Sequence, residues 1–238
     1  MYSVEQDMKL RLSETENFID LISAIESGDV ICSVKGSTKM NTPVLRASVV
    51  LSLYNIVEST ITQTLARIHD EINNKKLNYN HLTKEIKDLA LIYFYKHSEK
   101  RANIHDSLEV LHRTLDLIRG RGYFELPYVE MTESYKLYSG NLDARIIRKV
   151  MKKYGVEISE SFGLKLKSIK DGRNTLAHGN KSFEEFGRDL VVPALRDYFE
   201  DEKRFLEEVV SQAKKYIEEK QYKITKLPTK TIRTKRRK

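Results

Sequence analysis

One cysteine, no tryptophan, four prolines and ten glycines are spread over 238 residues. A lone cysteine, Cys32, excludes an internal disulfide framework and any cysteine-based zinc site. A reducing compartment is the simplest setting for it, so a cytoplasmic location is expected. With so few prolines and glycines, few positions force a helix to break. The first residues, MYSVEQDMKLRLSETE, lack an apolar stretch of the signal-peptide kind, and no leader is expected. The longest nearly uncharged run, Ala47 to Val57, is shorter than the roughly 20 residues that cross a bilayer. No membrane partner is therefore expected. The chain has no GxxxxGK[ST], no GxGxxG after a strand and no HExxH. No metal and no cofactor are expected.

Charge is abundant but unevenly placed. Lys and Arg number 42 against 34 Asp and Glu. The end of the chain from Lys223, KITKLPTKTIRTKRRK, carries eight basic residues and no acidic one, so the remainder holds 34 of each sign. The excess resides in the tail, where Lys230, Arg233, Lys235, Arg236, Arg237 and Lys238 are candidates for attracting RNA phosphate without sequence preference. The same composition also suits a solubilising end. Residues 1–222 are read as one helical domain and 223–238 as a flexible tail.

Helical periodicity dominates that domain. Phe18, Ile22 and Ile25 mark a helix over Asn17 to Ser27, with Ser13 and Glu16 in capping-box spacing before it. Gly28 to Asn41 reads as a loop. Thr42-Pro43 opens a long helix to about Asn73, with Thr42 as its cap. Its middle, RASVVLSLYNIVESTITQTLAR, is apolar nearly all round, the pattern of a central buried helix, and Glu58 is the only charge between Arg46 and Arg67. Helices near Leu82–Lys96 and Ile104–Ile118 follow, the second stopped by Gly120 and Gly122. GYFELPYVEMTESYKLYSG is irregular, with room for a short strand pair. Asn141 is the expected cap of LDARIIRKVMKKY, which Gly155 closes. A helix from about Glu160 to Ala177 comes next, then a second capping box at Ser182 and Glu185, then a last helix over about Val192–Gln221. The expectation is an all-α bundle of long antiparallel helices.

Five of the six histidines, at 69, 81, 97, 105 and 112, lack interleaved carboxylates at ligand spacing and read as surface residues. The sixth lies in KDGRNTLAHGN. Asn174 and His178 are four apart and share a helix face. Arg173 and His178 are five apart, about 140° around a helix and about 7.5 Å along it. One copy does not aim both at one point, whereas two copies about a two-fold axis can line one cleft with both. Arginine binds phosphate as a fork and offsets transition-state charge. Histidine takes and returns a proton near neutral pH. With the 2′-OH of RNA as nucleophile, that set suits phosphodiester cleavage, with Asn174 orienting the imidazole or binding phosphate.

RNTLAH matches the R-x4-6-H motif of the HEPN superfamily, and no other Arg–His pair in the chain has that spacing. RASVVLSLYNIVEST, SGNLDARIIRKVMKKYG and SFEEFGRDL further resemble a stand-alone prokaryotic HEPN ribonuclease-like branch, over about residues 40–200. The resemblance implies a HEPN-like helical bundle with extra helices, a homodimer with a composite active site, and metal-independent endoribonuclease activity leaving 2′,3′-cyclic phosphate. It implies a toxin or antiphage-defence role with a possible antitoxin or sensor partner. Arg173 and His178 would be catalytic, Asn174 supporting, and Glu58 the polar contribution of an earlier helix. Two other readings stand beside it: a non-catalytic HEPN module binding RNA or a protein, and a helical scaffold with an accidental motif. For Glu58, a core carboxylate paired with a buried Arg or Lys is the alternative.

Overall fold

The structure, a computed structural model, describes residues 1–30, 41–99, 104–138 and 140–224. Among them are nine α-helices, a short 3-10 turn at Tyr79–His81, and no strand: α1 (Tyr2–Ser27), α2 (Thr42–Asn74), α3 (Lys84–Glu99), α4 (Ile104–Ile118), α5 (Tyr128–Tyr135), α6 (Ala144–Lys153), α7 (Leu166–Ala177), α8 (Phe183–Arg188) and α9 (Val192–Glu218). The all-α expectation holds. The segment read as a strand pair holds α5 instead, and most of the loop after Gly28 and the six candidate tail cations lie outside the described residues.

α1 is more than twice the expected length. Val4, Met8, Leu12, Thr15, Ile19 and Ile22 form one buried stripe, so the helix gains burial from its first turn and passes straight through Ser13 and Glu16. Arg46–Glu26, Ser52–Thr15 and Gln63–Asp7 contacts run in opposite chain directions, so α1 and α2 are antiparallel. The Arg196–Asp20 pair and the facing of Glu207 and Lys214 with Glu5 and Lys9 set α9 antiparallel to α1.

α2 is the central helix, as its composition predicts, with α1, α7, α8 and α9 packed around it. Fourteen of its residues are buried, from Ala47 to Ile72. By length and composition it could also cross a membrane once a charge or two is tolerated; here half of that stretch is buried inside the bundle. It is not apolar all round, because Asn55 and Thr62 are exposed and Glu58 and Ser59 half-buried along one line. Thr42 is its first residue and Asn41 its cap position. α6 is capped by Asp143, not Asn141: the Asp143 carboxylate accepts from Ile146 N–H at 2.9 Å. The Ser182–Glu185 capping box forms with both of its bonds. Gly187 of α8 meets the backbone of Pro43 so closely that a β-carbon there would lie 1.8 Å from the Pro43 carbonyl oxygen, so α8 docks backbone to backbone on the start of α2.

Candidate functional site

α7 carries the motif, and its two ends explain where the motif sits. It begins at Leu166, later than expected from periodicity. Gly163 adopts φ +80°, and the Asp201 carboxylate of α9 takes the N–H groups of Gly163 and Lys165 at 3.0 and 2.7 Å. That carboxylate does the work of a cap from a distance. The far end closes as a Schellman motif: Gly179 at φ +67° donates to Leu176 O, and Asn180 N–H reaches back to Thr175 O. His178 is therefore the last half-helical residue, exposed, with no hydrogen bond to its imidazole among the described residues.

The buried edge of α7, Leu166, Ile169, Gly172 and Leu176, faces the bundle. At Gly172 a β-carbon would come within 2.7 Å of the Phe186 ring and 3.1 Å of Val50. Glycine thus lets α7 lie close on α2, and the next residue, Arg173, lands on Tyr54. Its guanidinium carbon is 4.8 Å from the ring centroid, within cation–π range. One N–H of Arg173 donates to Asn174 Oδ1 at 3.1 Å, and no carboxylate pairs with Arg173 among the described residues.

Tyr54 is itself fixed. Its hydroxyl donates to Gly140 O at 2.6 Å and accepts from Leu142 N–H at 3.1 Å. Burial pushes the phenol above its ordinary range, the Leu142 N–H opposes that, and the nearby Glu58 carboxylate adds to it. Glu58 stands one turn further along α2. It has no ion-pair partner among the described residues and opens onto a groove with Asn55, Ser59, Thr62, Gln63 and Tyr138. Glu58 is half-buried rather than in the core.

One turn before Arg173, Lys170 ties α7 to the start of α6 through a nearly buried ion pair with Asp143 at 2.9 Å. Burial alone would raise the Asp143 carboxyl, but the Lys170 hydrogen bond and the Ile146 N–H outweigh it and hold it below its ordinary value. The structure therefore gathers Arg173, Asn174 and, through Tyr54, Glu58, and leaves His178 at the exposed helix end. Tyr54 was missed by sequence reasoning. The available signal was its i, i+4 spacing to Glu58 on a helix otherwise nearly free of polar groups.

His69 corrects the surface assignment of the five other histidines. It is fully buried, with Nδ1 2.8 Å from Leu126 O and Nε2 2.7 Å from the Tyr154 hydroxyl. A carbonyl only accepts, so Nδ1 bears the proton and Tyr154 donates to Nε2. His105 and His112 are exposed and His81 is half-buried, while the side chain of His97 lies outside the described residues. No group of three or more His, Cys, Asp or Glu among the described residues is placed to hold a metal.

The long apolar helix and the short helix that Arg-Asn-x3-His closes both lie within the stretch that a family comparison matches. The MAE_28990-like HEPN family model matches residues 2–222. The chain belongs to the HEPN superfamily. The match reaches beyond residues 40–200 on both sides, so α1 and α9 belong to the HEPN unit, and it stops where the basic tail begins. No curated protein and no solved structure matches this HEPN chain.

Proposed function

We propose that this HEPN protein is a metal-independent endoribonuclease. The observation that carries the reading is a positioned guanidinium at Arg173 and an exposed imidazole at His178 on one short helix, neither paired with a charged group among the described residues. In the proposed reaction His178 takes the proton of a ribose 2′-OH, and the freed oxygen attacks the adjacent phosphorus. The bond to the 5′-oxygen breaks, that oxygen receives a proton from an imidazolium, and a 2′,3′-cyclic phosphate remains. Arg173 offsets the charge that builds on the phosphoryl oxygens. Asn174 holds the guanidinium, and Glu58 acts from α2 through Tyr54. Because Arg173 and His178 diverge by about 140° on α7, the working site is composite, formed by two copies about a two-fold axis. A toxin or antiphage role follows from the HEPN resemblance, with growth slowed by wild type and not by Arg173→Ala.

The test is cleavage of mixed RNAs in EDTA by wild type and His178→Ala. Wild type is expected to produce cyclic-phosphate ends, and His178→Ala to lose about 10²- to 10⁴-fold in rate. Equal cutting by the two overturns the reading. Stable RNA binding by wild type without any cutting would instead make the motif a phosphate clamp.

A further inference from the structure

The groove beside Glu58 has chemistry that the cleavage scheme leaves unused. It is lined by Asn55, Glu58, Ser59, Thr62, Gln63 and Tyr138 and begins at Asn55, next in sequence to Tyr54, on whose ring Arg173 rests. We infer that this groove is the subsite for one unstacked base of a single-stranded RNA, the nucleotide whose phosphate meets Arg173. The inference rests on the nuclease reading and deepens it by naming the form of substrate.

Charge sorts the two ends of such a nucleotide. Arg173 has a guanidinium with no carboxylate partner among the described residues, so it favours phosphate. Among the described residues the groove lining contains no Lys or Arg, and its one charge is the Glu58 carboxylate. A phosphate is repelled there, while an amino or imino N–H on a base edge finds an acceptor. Asn55, exposed on the rim, adds an amide donor and acceptor. The Gln63 amide nitrogen is already taken by Asp7 at 2.7 Å and Ser59 at 2.9 Å, which leaves its carbonyl oxygen as a second acceptor.

Tyr138 supplies the aromatic wall. Its hydroxyl sits 3.0 Å from Thr62 Oγ1 on α2 and 3.0 Å from the Tyr128 hydroxyl on α5. The ring is thus fixed before any ligand arrives, and little ordering cost remains for a base that stacks on it. A base within a duplex presents neither its face to a protein ring nor its pairing edge to a carboxylate, so the groove selects unpaired strand. Adenine, cytosine and guanine offer an exocyclic amino group to Glu58, whereas uracil offers only its imino N3–H, so uracil should bind least well.

The experiment measures binding of the full chain, as His178→Ala so that RNA survives, to oligoribonucleotides of one base kind and to a duplex of equal length. Single strands are expected to bind at least tenfold more tightly than duplex, with oligo-U the weakest. Added Tyr138→Ala should lower single-strand affinity about tenfold, the worth of one base–aromatic stack, while Tyr138→Phe, which keeps the ring, should not. Asn55→Ala, at an exposed position, should narrow the differences among bases without altering stability. Cleavage by the same variants with His178 restored is followed in parallel. Wild-type cutting that Tyr138→Ala and Asn55→Ala leave unchanged in rate and base preference sinks the subsite and spares the nuclease reading. Wild type that neither binds nor cuts any of these RNAs sinks both. Equal affinity for strand and duplex overturns the subsite. So do groove variants that shift self-association but not RNA binding, an outcome that makes this face a contact for a second copy.

Discussion

Two polar clusters lie on α2, about 22 Å apart along its axis (15 residues), and they differ in what they leave unfilled. Around His69 the buried imidazole and the peptide it meets are both paired. Both ring nitrogens are engaged, and the Leu126 peptide is held on both sides, its N–H donating to Asn73 Oδ1 at 2.7 Å and its carbonyl accepting from Asn73 Nδ2 at 3.1 Å. Around Tyr54 only the tyrosine is fully engaged. Arg173 gives one bond to Asn174 and stacks on the ring, and Glu58 faces a groove. A buried cluster with nothing left over fixes the structure; a half-exposed one with unspent charge is fitted to bind something else.

The sharpest way to break that comparison is to remove a histidine from each setting. His69→Ala leaves a cavity and strips partners from Tyr154 and Leu126, so it should lower unfolding free energy by about 4 kcal/mol. His178→Ala, at an exposed helix end, should stay within about 0.5 kcal/mol of wild type while losing cleavage. Denaturant unfolding of both variants decides it, and a stable His69→Ala with an unstable His178→Ala would invert the assignment.

Acid sharpens the contrast by a smaller amount. Burial, only partly opposed by the Leu126 carbonyl, lowers the His69 pKa to about 4 from an ordinary 6.5. The folded protein therefore holds a neutral ring where the unfolded chain takes a proton. The stability this represents is present above pH 6.5 and lost as pH falls towards 4, about 2 kcal/mol by pH 5 and about 3 kcal/mol in full. Glu202 works in the opposite sense. It is fully buried on α9 with no hydrogen bond to either oxygen among the described residues, and burial, with Asp201 adding to it, pushes its carboxyl well above 4.5. It is held neutral while the unfolded chain ionises, so its cost grows as pH rises from 4.5. Glu202→Gln should match wild type below that pH and exceed it at pH 7, and in that background unfolding between pH 7 and 5 should show the His69 loss without the opposing Glu202 gain. A flat profile there would mean that His69 is not buried neutral.

Much of the fold was legible because burial leaves a period in the sequence. The apolar run of α2, the helix that Gly155 closes and the end of α7 at Ala177 all appear where spacing puts them. The errors come from residues whose partners are distant in sequence. His69 looks like a surface histidine until Leu126 and Tyr154, 57 and 85 positions away, fold over it. The start of α7 was misplaced because its cap is Asp201, which no local pattern reveals. At the site, Arg173, Asn174 and Glu58 could be named from the motif and from isolated polarity, but Tyr54 looked like one more core aromatic. Only the packing of Gly172 against Val50 and Phe186 shows why the guanidinium lands on its ring.

Tyr54 gives the finest cut between the two clusters, because its ring and its hydroxyl do separate jobs. Tyr54→Phe keeps the surface under Arg173 but leaves Gly140 O and Leu142 N–H without their partner, so it should cost about 1.5 kcal/mol of stability and keep RNA affinity near wild type. Tyr54→Leu loses both. Its guanidinium is no longer held by a cation–π contact worth about 1 kcal/mol, and RNA affinity should fall about fivefold beyond any change in folded fraction. Unfolding and binding measured on the same samples separate the two effects. If Phe and Leu weaken RNA binding equally, the hydroxyl and not the ring positions Arg173, and the path from α2 to the motif runs through the backbone at Gly140 and Leu142.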